Sequence, residues 1–268
     1  INNAAETYTI GAGTVALNGD LTATAGTLIG TGDLTVSGGD VTGNGTITMT
    51  GGTFLVDGTG NFGGNGNWTF YDLTFGNGAG ATTTTKTGSG SVTVSDVMTV
   101  AANQTLDAGD DTWTLSGSSA PLVVSGTFTP SGSTVVYTGI SAPESYLTAA
   151  QVPYNNLTFS PASASSYTLA GNLTGGNAIQ GDLIVDTNAT LVSGYAIAVD
   201  GGSVTGNGMI NISTEFGPIA FTVSGVGDFG GNSVWSFQDL VFNGTTTKTG
   251  SGEIDISSVM TINGGKSL

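Results

Sequence analysis

Asp110 and Asp111 are the one adjacent acidic pair in this 268-residue chain. Two carboxylates flanking a glycosidic bond can hydrolyse it. Successive strand residues point to opposite faces, however, so this pair reads as a solvated turn rather than a catalytic couple. The chain has no histidine, cysteine or arginine, and Lys86, Lys248 and Lys266 stand far apart. No imidazole base and no thiolate nucleophile is therefore on offer. Metal chemistry would have to come from oxygen. Asp33, Asp40, Asp57, Asp182 and Asp200 each adjoin a glycine. Calcium takes oxygens from such turns, which makes these five the weak calcium candidates. Asx beside glycine is equally the ordinary composition of a tight turn, and no other cofactor is expected.

Three further groups have a chemical reading. Asp72 and Asp239 hold matching places in two similar aromatic segments. They can cap turns or pair with Lys86 and Lys248; a Lys–Asx isopeptide bond would need a buried lysine, and the threonine-rich setting points to exposure. Trp68, Trp113 and Trp235 are the possible ligand-facing aromatics, since an exposed indole stacks on sugars. Trp68 and Trp235 hold matched places in two similar segments and Trp113 does not; matched aromatics more often belong to a core. Thr-x-Thr pairs such as Thr22-Ala23-Thr24 and Thr48-Met49-Thr50 raise ice binding, which demands strict register over many coils. Their spacing along the chain is irregular.

These residues sit on a repeat. Val41-Thr42-Gly43-Asn44-Gly45 returns as Val204-Thr205-Gly206-Asn207-Gly208, and Asn61-Phe62-Gly63-Gly64-Asn65 as Asp228-Phe229-Gly230-Gly231-Asn232. Trp68 to Phe75 returns as Trp235 to Phe242, Thr84 to Gly90 as Thr246 to Gly252, and Val97 to Val100 as Val259 to Ile262. The offsets are 163, 167, 167, 162 and 162 residues, so roughly 41–106 matches 204–268. The offset changes near Gly-, Asn- or Thr-rich stretches, where surface turns tolerate them. Leu268 aligns with Leu106, so the chain is expected to be a piece of something longer or a unit covered by neighbours at its ends.

Short alternating segments predict strands: Leu34–Val36, Ile47–Met49, Val92–Val94, Val135–Tyr137, Leu183–Val185 and Ile254–Ile256. Turn residues recur every 8 to 14 residues or so, and no stretch has a helical period. Forty-six glycines between β-branched runs suit stacked coils that repeat one bend. The expected fold is all-β: one continuous β-solenoid, or parallel β-helix, over 1–268, with tandem Ig-like sandwiches as the alternative. The candidate linker or side loop is 141–153, which contains Pro143 and Pro153. Coils of roughly 20 residues stacked about 4.8 Å apart would number about 13 and make a rod on the order of 60 Å.

The runs Asn67 to Phe75, Thr87 to Val94 and Ala101 to Leu106 resemble very large Gly/Thr/Asn-rich bacterial surface proteins. Those in turn look like filamentous-haemagglutinin and autotransporter passenger domains. The resemblance implies export, surface display, and adhesion or filament formation, and it carries over no catalytic residue.

The formal net charge of −16 disfavours nucleic acid, whose binding requires basic residues. No apolar run is long enough to insert in a membrane. The expectation is a non-enzymatic, extracellular or cell-surface structural protein: a rod segment of a filament or adhesin stalk whose partner is itself, end to end or laterally. A carbohydrate-binding adhesin recognising surface glycans is the alternative. A polysaccharide-degrading β-helix enzyme is less favoured.

Overall fold

Alternation of an inward aliphatic or aromatic residue with an outward Thr, Ser or Asn makes half-buried strands, and glycine or Asx ends each after a few residues. In the computed structural model, which describes residues 1–142, 145–212 and 219–268, these strands wind into parallel stacked coils. The fold is an all-β solenoid of about 12 turns. Each strand segment named above is present, and the described helix is a single 3-10 turn at Gly175–Asn177. Parallel pairing between successive coils excludes tandem sandwiches.

The chain divides into two compact units. In the first, 1–117 with 121–133, each coil has three faces. One face stacks Asn2–Ile10, Ala25–Gly30, Thr46–Met49, Trp68–Phe70, Val92–Val94 and Thr112–Leu115. The next stacks Thr14–Leu17, Asp33–Val36, Thr53–Val56, Asp72–Phe75, Met98–Val100 and Leu122–Val124. The third stacks Leu21–Thr22, Val41–Thr42, Gly60–Gly63, Thr82–Lys86, Gln104–Asp107 and Thr127–Thr129. Side chains stay in register from coil to coil. Tyr8, Leu28, Ile47, Trp68, Val92 and Trp113 make one inward row.

The second unit, 118–120 with 134–268, is built on the same plan. Its first face stacks Thr134–Tyr137, Asn156–Phe159, Leu183–Val185, Val204–Thr205, Gly227–Gly230 and Thr246–Lys248. Its long strands Trp235–Phe242 and Ile254–Ile262 each run across two faces. Part of the loop expected at 141–153 is core instead: Leu147–Ala149 is a strand paired with Ser165–Leu169, and its leucine is fully buried. Pro143 lies outside the described residues. Three buried tyrosines fill this part of the unit. Tyr137 donates to the Tyr154 hydroxyl (2.9 Å), Tyr154 donates to the Ala150 carbonyl (2.9 Å), and Tyr167 donates to the Gly139 carbonyl (2.7 Å). Burial pushes the Tyr137 hydroxyl up to about 12.

The sequence repeat is also a packing repeat. Phe54, Phe62, Trp68, Phe70 and Phe75 form a ring cluster, matched by Phe221, Phe229, Trp235, Phe237 and Phe242. The Phe62–Trp68 and Phe229–Trp235 centroids lie 5.3 and 5.4 Å apart, both with rings at 85°. Gly63 and Gly230 hold φ at 124° and 132°, and a Cβ at either would collide with the carbonyl oxygen of Thr87 or Thr249. Glycine is therefore required at this corner in both copies.

Candidate functional site

At the corners the backbone leaves the sheet ladders, and its N–H groups need other acceptors. Asp and Asn side chains supply them. The Asp40 N–H donates to Asp20 Oδ1 (3.2 Å), and the Asn61 N–H donates to Asp40 Oδ1 (2.6 Å). In the second unit the Asp182 N–H donates to Asn156 Oδ1 (2.8 Å) and the Ser203 N–H to Asp182 Oδ1 (2.7 Å). Asn44 serves Asn65, and Asn65 serves Ser89. Where such a bond spans two coils, the Asp or Asn acceptor lies in the earlier coil and the N–H in the later one.

This ladder accounts for most of the calcium candidates. Asp33 Oδ1 accepts the Thr53 N–H (2.9 Å), and Asp57 takes the Asn77 N–H (3.0 Å) and side-chain amide (2.7 Å). Asp40 and Asp182 act as above, while Asp200 is exposed and its own N–H donates to the Ile179 carbonyl (2.8 Å). Among the described residues no three acidic side chains gather into a metal-binding group. Asp40→Ala is expected to cost about 1 kcal/mol in urea unfolding and Asp40→Asn almost nothing, because an amide oxygen accepts the same bond. Equal losses from both variants would mean that the carboxylate charge, and not the acceptor, is what matters.

Asp72 and Asp239 are ladder members too and do not pair with the lysines. Asp72 Oδ1 accepts the Val97 N–H (3.0 Å) and Asp239 Oδ1 the Val259 N–H (3.1 Å). Partial burial raises the Asp72 carboxyl above its ordinary range. The partner of Lys86 is Asp111 instead, 25 residues on, with Nζ 2.6 Å from Oδ2. Lys86 is buried rather than exposed: its side chain is 0% accessible and that of Asp111 15%. Lys86 also donates to the Thr87 carbonyl (3.0 Å). Asp110 separately accepts the Gly132 N–H (3.1 Å), so the adjacent acids serve two different partners. The signal for the lysine pair was the spacing of one coil between Lys86 and Asp111.

The three indoles are 1% exposed, so none offers a ring face to a sugar. Their N–H groups donate to the carbonyls of Gly45 (Trp68, 2.9 Å), Ala108 (Trp113, 2.9 Å) and Gly208 (Trp235, 3.0 Å). The threonines correct another expectation. Irregular spacing along the chain does not break their register, because extra residues go into corners. Thr48, Thr69, Thr93 and Thr114 stand in one outward row, which Ile29 separates from Thr9.

In the first and last described coils, the strands Asn2–Ile10, Thr14–Leu17 and Leu21–Thr22, and the strands Thr246–Lys248 and Ile254–Ile262, each pair on one side only. Both present large apolar side chains to solvent. Tyr8 and Val15 are exposed on the first, and Val259, Met260 and Ile262 on the second. Among the described residues no helix is long and apolar enough to cross a membrane. No family model, no curated protein and no solved structure matches the chain.

Proposed function

We propose that the protein is a structural element of an extracellular surface filament or adhesin stalk, and that it associates with copies of itself. The observation that carries this reading is the stack itself: in each unit the inward rows are buried in register from coil to coil, and the acids and indoles that could do chemistry are held in structural hydrogen bonds. The net charge of −16 favours solubility and discourages random aggregation. The indoles that a sugar-binding reading needs are occupied in the core, and the adjacent carboxylates are occupied by Lys86 and Gly132.

Light scattering across a concentration series, with electron microscopy of the same samples, tests the proposal. The expected result is a mass that rises with concentration and elongated particles at the high end. Compact monomers at every concentration would overturn it.

A further inference from the structure

One outward face of the first unit carries hydroxyls in a two-dimensional array. Thr48, Thr69, Thr93 and Thr114 stack directly on one another, one per coil. Each is partly exposed, and none of the four hydroxyls is hydrogen-bonded to the chain among the described residues. Two residues before each of them stand Thr46, Asn67, Ser91 and Thr112, which make a second column in the same register. No charged residue stands in either column, although the chain has a formal net charge of −16.

The array is held still. Threonine is β-branched, so its χ1 is restricted. Beneath it Ile47, Trp68, Val92 and Trp113 form an inward row at most 1% exposed. Side-chain ladders of this kind keep a stacked sheet flat. Asn67 is fixed by the Ser91 N–H, which donates to its Oδ1 (3.0 Å). On the far side of the threonine row, the Thr50 and Ser116 hydroxyls donate to the carbonyls of Gly30 (3.3 Å) and Val94 (3.2 Å), each in the coil before.

The spacing selects a ligand. Stacked strands lie about 4.8 Å apart, too far for one hydroxyl to reach the next. One water about 2.8 Å from both oxygens closes the gap, and the angle at that water comes to about 118°, near tetrahedral. Neighbouring hydroxyls of the row thus stand to each other as second-neighbour oxygens stand in ice. The other column, about 6.6 Å along the strand, extends the array into a plane. Water bridging fixed groups loses its freedom at small cost, and rigid hydroxyls have little of their own to lose.

We infer that this face binds ice, with one water of the crystal seated between each pair of stacked threonines. The contact needs no second copy of the chain and is separate from self-association.

Ice growth in a solution of the purified chain tests it. The expected result is faceted crystals and a freezing point held below the melting point, by a gap that widens with concentration. Thr69→Lys puts a charge and a long side chain in the middle of the array and is expected to abolish the gap. Thr69→Val combined with Thr93→Val keeps the shape, removes two hydroxyls and should narrow the gap sharply. Thr99→Lys makes the first change on the next face, where Thr99 lies between Thr74 and Val123, and should leave the gap as it is. Circular dichroism checks that each variant is folded. Round crystals and no gap with the unaltered chain would overturn the inference, and so would equal losses from Thr69→Lys and Thr99→Lys.

Discussion

Asp111→Ala is expected to destabilise the first unit by about 3–5 kcal/mol, among the largest losses from any single side-chain truncation in the chain. The reason is what it leaves behind. The Lys86 side chain is wholly inaccessible, and its Nζ would keep the Thr87 carbonyl but lose its carboxylate. An ammonium held in that position can neither reach water nor find another anion. The partial exposure of Asp111 screens the pair somewhat, which places the expected value near the low end of the range. Adding Lys86→Met to Asp111→Ala removes the stranded charge, and the double variant should recover most of the loss. Lys248→Met is the internal comparison. That lysine is half-buried and binds carbonyls, so its replacement should change stability by about 1 kcal/mol or less. Stacked-coil proteins need not unfold in one step, so hydrogen exchange resolved by unit is the right measurement. A loss below about 1 kcal/mol for Asp111→Ala would show that Lys86 reaches solvent after all.

The second large effect belongs to the ring cluster. Phe62→Ala is expected to cost about 4–5 kcal/mol and Phe229→Ala about 1 kcal/mol less. Both phenylalanines are fully buried, and each packs edge-on against its tryptophan and against a second phenylalanine of the next coil. The copies differ in one ring each. Trp113, two coils beyond Trp68 in its row, stacks on Phe62 with centroids 6.2 Å apart and planes at 15°, whereas Phe221 meets Phe229 edge-on at 6.5 Å. The stacked indole is the larger contact, so truncating Phe62 strips more packed area than truncating Phe229. Equal losses would mean that the Trp113 stack adds nothing.

The strands and their stacking were legible in the sequence because period-two alternation and glycine punctuation are local signals. Leu34–Val36 and Ile47–Met49 announce themselves in three residues each. The repeat was legible for the same reason, and the copies of Phe62 and Trp68 pack almost identically. What was hidden depends on coil length. Asp111 pairs with Lys86 because one circuit of the solenoid brings residues 25 apart together, and that circuit varies from corner to corner. Thr48, Thr69, Thr93 and Thr114 look irregular along the chain and regular in space for the same reason. Leu147–Ala149 reads as loop in the sequence because Pro143 and Pro153 flank only three strand residues. The Asx ladder was visible only as composition: aspartate and asparagine beside glycine mark a turn, but not which N–H one coil later they receive.

The direction of that ladder bears on how the molecule is made. Asp40 awaits the N–H of Asn61, and Asp182 awaits that of Ser203. Each completed circuit thus carries acceptors aimed at residues that leave the ribosome after it. A growing polypeptide can settle each new circuit on a finished one, with neither end of the search left open, so nucleation is expected to move from the amino end onward as synthesis proceeds.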